Sequence, residues 1–442
     1  MEQPRQPRPR WVRALVVGLV AFEVVAGAAL VARSGTERTR TAPAPPATPA
    51  PSQSHQGSAD RSQALRTSAV EDLLQRRAGA IRTRDRAAFA ATLDRRQAAF
   101  SKRQFAMFDN LKDVPLADWR YELDPSDTAP APTDYATDAW APRVTLRYRL
   151  AGFDPVPAAS DQFFTFVRRG GAWLIANDAD YDATGRRTAR ELWDFAPVVV
   201  VRGARSLVLG HPGRHALLRD VARHADAAVP RVSAVWTARW PERVVVLVPD
   251  SEAEIASMLG DVGDLSRIAA VAVAELPGGS DDRAVGNRII VNPPNFRRLG
   301  NTGRRVVLTH EVTHVATRDA SGTGLPTWLV EGFADYVGYL GTGLSARAIS
   351  QELAAEVRAG RVPTALPANA EFDGANERLA QAYEAAWLAV RLVAERAGQD
   401  GVVRLYRRAG TEPLPGVLED ITGMDVPAFT AAWRDYVRRT LS

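Results

Sequence analysis

The chain has 442 residues, long enough for about two or three domains, and its hydrophobic (46%) and charged (24%) fractions are those of a globular protein. Its net charge of +5 sits in residues 1–66, where nine arginines face four acids (Glu2, Glu23, Glu37 and Asp60), so the remainder is neutral and a basic nucleic-acid-binding face is not implied. There is no Cys, which excludes disulfides, thiolate nucleophiles and thiolate-ligated metal.

Arg5, Arg8, Arg10 and Arg13 precede an apolar run from Ala14 to Ala32. Its ten Leu, Val and Phe residues favour membrane insertion by roughly 4 kcal/mol in sum, against roughly 3 for the central Glu23. The run is long enough to span a bilayer. Its basic flank predicts a cytoplasmic N-terminus, with everything after Ala32 extracytoplasmic. Ala26-Gly27-Ala28 has the spacing of a signal-peptidase site, so residues 1–32 read as an anchor or as a cleaved signal peptide, giving a membrane-bound or a secreted product.

Residues 33–66, with "TAPAPPATPAPSQS", are too polar and Pro-rich to bury a core and read as an extended spacer. From 67 to 192 the pattern is that of a small α+β domain. Val70, Leu73, Leu74, Ala78 and Ile81 form a helical stripe, and Asp85 can cap a second helix through Phe89 and Leu93. Strand-like runs follow in "WRYELD", "RVTLRYRL", "DQFFTFVRR" and "AWLIAND", with Gly170-Gly171 as a hairpin signal between the last two. Two helices ahead of a curved antiparallel sheet resemble the nuclear transport factor 2-like fold, a cone with a pocket. That resemblance rests on pattern over some 120 residues. No acid/base pair in this region reads as catalytic.

Residues 193–442 form a second α+β unit. A hairpin in "PVVVVRGARSLVLG" precedes a helix through Leu217, Leu218, Val221, Ala225 and Ala228, ending near Pro230. Then come the strand "RVVVLVP", the helix "SEAEIASMLG", the strands "IAAVAVAE" and "NRIIVNP", and a mainly helical C-terminal third.

Chemistry concentrates in "VVLTHEVTHVATR". Residues four apart share a helical face, so His310 and His314 can reach one zinc ion. Glu311 lies beside them, placed to meet a metal-bound water. Catalytic zinc sites use three protein ligands, and "LPTWLVEGFADYVGYL" offers Glu331 as the third. Pro326-Thr327 opens that second helix, and the Gly-containing segment before it can turn the chain back. Asp335, four residues beyond Glu331, suits the spare N–H of a ligand histidine.

Together "HEVTH" and "WLVEGFADY" resemble the gluzincins, the thermolysin and aminopeptidase group of peptidase MA-like proteins. The likeness spans roughly 193–442 and implies a zinc metallopeptidase with a small mixed sheet and a helical lobe. By motif it implies Zn2+ on His310, His314 and Glu331, Glu311 as general base and acid, and Asp335 orienting His310. No His follows His314, so an oxyanion donor would be a Tyr, as in the aminopeptidase branch. Tyr383 opens the amphipathic helix that follows in family members; Tyr336 and Tyr339 are its rivals, and a core role for Tyr383 is equally open. The resemblance further implies that "NRIIVNP" is an edge strand pairing with substrate backbone. No match to the amine-binding motif of aminopeptidases is present, which points to an endopeptidase acting on peptides or proteins. The alternative is a non-catalytic envelope protein that binds a peptide or ligand. His211 and His215 in "GHPGRH" do not form a second metal site, because Pro212 and Gly213 prevent a continuous helix.

Overall fold

The computed structural model describes residues 13–18, 53–135, 137–260, 267–275, 284–321 and 324–442, with 13–18 and 53–59 described as backbone only. The fold is mixed α+β with two sheets.

The first part opens with helix α1 (Gln53–Thr83), followed by α2 (Arg86–Ala90) and α3 (Ala98–Asn110). Helix α1 reaches well back into the expected spacer. It begins two residues after Pro51, the last residue there that lacks a backbone N–H, and Val70, Leu73, Leu74 and Ile81 bury its inner face. Asp85 caps α2 by accepting from the N–H groups of Ala87 and Ala88. That helix is shorter than expected, because Leu93 has turned out to bridge Ile175. Helix α3, absent from the sequence reading, buries Phe100, Met107 and Phe108.

Strands β2 (Leu116–Ala129), β3 (Ala139–Leu150), β4 (Ala158–Gln162), β5 (Thr165–Arg169) and β6 (Ala172–Asn177) form an antiparallel sheet, in the order β2-β3-β5-β6 with β4 also on β3; β1 (Arg13–Gly18) belongs to the second sheet. The run "DQFFTFVRR" is split between β4 and β5, which both pair with β3. Gly170 and Gly171 take φ of 56° and 86°, the left-handed geometry of a tight hairpin.

The second sheet has the order β1-β10-β11-β9-β8-β7. Its strands are β7 (Val199–Arg202), β8 (Ser206–Gly210), β9 (Val244–Val248), β10 (Ala270–Glu275) and β11 (Val285–Val291). Strands β8, β9 and β11 run parallel, while β7, β10 and β1 pair antiparallel to their neighbours. The strand "NRIIVNP" is therefore internal and not at the edge. Ile289 and Ile290 pair with β9 on one side and with β10 on the other, and burial on both faces suits their β-branched side chains. Strand β10 lies outside β11, with Arg13–Gly18 paired along its outer side. The rest of the expected anchor, residues 19–32, is outside the described residues, and among the described residues no helix is long and apolar enough to cross a membrane.

Helix α4 (His215–Val235) connects β8 to β9 and continues through Pro230, which was expected to end it. Buried Val232 and Val235 prolong the apolar stripe beyond the proline, so packing outweighs the lost hydrogen bond. Helix α5 (Glu252–Leu259) is capped by Ser251. Helices α6 (Pro293–Arg298), α7 (Asn301–Thr317), α8 (Thr327–Tyr339), α9 (Ala346–Ile349), α10 (Gln351–Arg358), α11 (Leu379–Ala409), α12 (Leu414–Thr422) and α13 (Val426–Leu441) complete the chain.

The two sheets share a continuous core. Trp193, at the expected junction, packs on Trp119 and Tyr148 with ring centroids 5.8 and 5.1 Å apart. Asp154, after β3, holds Arg288 of β11 through two hydrogen bonds of 2.7 and 2.9 Å, both side chains being buried.

Candidate metal centre

Helix α7 is buried without interruption from Val306 to Thr317, against α4 and α8 on one side and β10 on the other. This is unlike a surface helix, and it explains why its sequence has little amphipathic character. The second helix, α8, lies close to α11 because Gly332 has no side chain. A Cβ there would meet the Ala386 carbonyl oxygen at 2.5 Å. The residue before it, Glu331, is thereby set deep between helices α7 and α11.

His310, His314 and Glu331 are each no more than 2% exposed. The two Nε2 atoms lie 2.9 Å apart, and Oε2 of Glu331 lies 3.3 and 3.4 Å from them. Once all three are deprotonated, lone pairs this close repel one another unless a cation lies among them; in the metal-free chain a proton on His310 fills that role. Bonds of about 2.0–2.1 Å at tetrahedral angles would hold zinc ligands roughly 3.3 Å apart, which the two distances to Glu331 match, while the two imidazole nitrogens sit closer than that. All three side chains are brought together as the spacing predicts.

Electrostatics support the same set. Burial opposes charge on His310, but the carboxylate of Asp335, by charge and hydrogen bond, and Glu331 hold its pKa well above the ordinary value. Burial lowers His314 to about 4, against the pull of Glu331. Burial would raise Glu331, yet the two imidazoles bring it down to about 2. His314 thus presents a neutral imidazole and Glu331 an ionised carboxylate, the forms that bind metal. Nδ1 of His310 sits 2.8 Å from Oδ1 of Asp335, the predicted orienting contact.

Glu311 is fully buried, and neither carboxylate oxygen completes a hydrogen bond among the described residues. Burial raises its pKa to about 8, with His310 opposing. Leaving a buried carboxyl group without full partners costs about 1–3 kcal/mol or more, so a stability role does not account for it.

Tyr383, on α11, is the tyrosine that reaches the ligands. Its ring centroid lies 6.3 Å from that of His310, and its hydroxyl engages Glu331. It also packs on Phe372 at 5.3 Å. Tyr339 packs on Trp387 at 5.9 Å and Tyr336 is half-buried. The remaining histidines have ordinary partners. His211 contacts the Pro197 carbonyl and Glu254, and His224 contacts Asn301, while His215 is exposed. His224 is buried against the start of α7.

One residue of the site escaped the sequence reading. Arg318 lies seven residues beyond Glu311, two turns along the same face, and its charge acts on Glu311 and Glu331. That spacing was the available signal. The chain matches no protein-family model and no curated protein, so the functional assignment rests on these side chains.

Proposed function

We propose that the chain is a zinc metallopeptidase of gluzincin type, preceded by a nuclear transport factor 2-like domain. The observation that carries this reading is the pairing of a three-donor cluster at zinc spacing with a buried, unsatisfied Glu311 beside it. Zinc on His310, His314 and Glu331 would supply an activated water and a Lewis acid. Glu311 accepts a proton from the attacking water and passes it to the leaving amine. A pKa near neutrality suits a group that must do both, and burial raises Glu311 in that direction. Asp335 holds the His310 ring so that Nε2 faces the cluster. Tyr383 is the proposed donor to the oxyanion, since its hydroxyl already lies against the ligand carboxylate.

Burial of the whole cluster is the observation that favours the other reading, a structural metal in a non-catalytic binding protein. Glu311 weighs against it, because a closed structural site has no use for a buried carboxyl group whose hydrogen bonds are incomplete. An N-terminal anchor, with the folded parts extracytoplasmic, is proposed from the apolar run alone, and it requires residues 14–18 to leave the place beside β10 that they occupy in this structure.

The experiment is to profile cleavage of proteome-derived peptides by the purified chain, with and without a chelator. The proposal expects internal cleavages that chelator abolishes and added zinc restores. Absence of cleavage by the zinc-loaded protein would favour the binding role.

A further inference from the structure

Strand β10 passes beside the centre, and Ala272 is where it meets the site. The N–H of Ala272 is directed at the Glu311 carboxylate, short of a full hydrogen bond. Its carbonyl oxygen accepts from Nη2 of Arg318 at 3.2 Å. Nε of Arg318 donates to Oδ1 of Asn287, on the adjacent strand β11, also at 3.2 Å. A single guanidinium thus ties two neighbouring strands to the helix that bears Glu311.

Burying a guanidinium is unfavourable unless its donors are satisfied, and Arg318 is only 9% exposed. An ordinary solvated helix end would not place it there. Its fork geometry allows two acceptors to be held at a fixed angle, which an ammonium cannot do. Asn287 precedes Arg288, so the two side chains point to opposite faces of the sheet. Arg288 is fixed by Asp154 of the first part, and Asn287 is fixed by Arg318. Strand β11 is therefore held from both faces at adjacent residues.

We infer that Arg318 is a positioning residue, which sets the backbone of β10 at Ala272 against Glu311 by holding the Ala272 carbonyl and the Asn287 side chain at once. Its effect on turnover rests on the proposed peptidase reading; the clamp itself does not.

Two measurements separate these. Hydrogen exchange of β10 amides reports the clamp without any activity. Arg318→Met and the milder Asn287→Ala should each speed exchange in residues 270–275 by about tenfold, with α4 unchanged. In turnover, both variants should keep one zinc per chain and the wild-type KM while kcat falls about 10- to 100-fold, since small displacements beside reacting groups carry costs of that size. Arg318→Lys, which keeps one donor and the charge, should recover part of kcat. Unchanged exchange in β10 for both variants overturns the clamp. Faster exchange with unchanged kcat overturns the positioning role. If the wild type cleaves nothing, the peptidase reading fails, and the exchange result still decides the clamp.

Discussion

Nδ1 of His310 on α7 lies 2.8 Å from Oδ1 of Asp335 on α8, one helical turn beyond the proposed ligand Glu331. The second helix therefore carries both a proposed ligand and the group that would aim another. Asp335→Ala should leave the fold intact and weaken zinc binding by about 10- to 100-fold, the usual cost of losing such a partner. Competition against a chromophoric chelator measures it, and wild-type affinity in the variant would refute the orienting role.

Metal binding and protons are coupled in a definite direction. His310 has its pKa held well above 6.5 after burial is overcome by Asp335, so it carries a proton at neutral pH in the metal-free chain. Stability from that contact is fully present below 6.5 and is lost as pH rises through the raised value. Zinc must displace the proton, so zinc affinity should strengthen as pH rises. Titration calorimetry in buffers of different ionisation enthalpy should show about one proton released per zinc near pH 7. Zero release would mean that His310 is already neutral.

The helix carrying His310 and His314, its return partner with Glu331 and Asp335, and the succession of strands and helices from β7 to α7, short α6 apart, were legible. Their motif spacings are local, and residues four apart on a helix need no tertiary information. Three features were hidden. Helix α3 alternates buried Phe and Met with polar residues that become buried too, such as Gln104, so its stripe is blurred. Strand β11 looked like an edge because nothing in "NRIIVNP" records that β10 will lie outside it. Nothing in the sequence around Arg318 records that Asn287 and Ala272 will lie where its donors reach. Non-local contacts, not weak propensity, account for the last two.

Tyr383→Phe retains the aromatic packing on Phe372 and removes only the hydroxyl. The variant should fold normally and lose about 10²- to 10³-fold in kcat, as expected when one oxyanion donor is removed. Steady-state kinetics on a peptide identified by profiling checks this. A loss confined to Tyr339→Phe would move the role to that residue.

Asp154→Ala should be among the most destabilising single changes outside the centre. It leaves the buried Arg288 guanidinium without its bidentate partner, at a cost of about 3–5 kcal/mol. Chemical denaturation measures it. A change of under about 1 kcal/mol would place the pair in the class of solvent-exposed bridges.

The most direct test of the metallopeptidase assignment is Glu311→Gln, measured for zinc content and peptide cleavage in one preparation. An amide of the same shape leaves His310, His314 and Glu331 in place but cannot take a proton. The account predicts one zinc per chain, as in the wild type, and cleavage reduced to background. Cleavage at the wild-type rate by the zinc-loaded variant would contradict it.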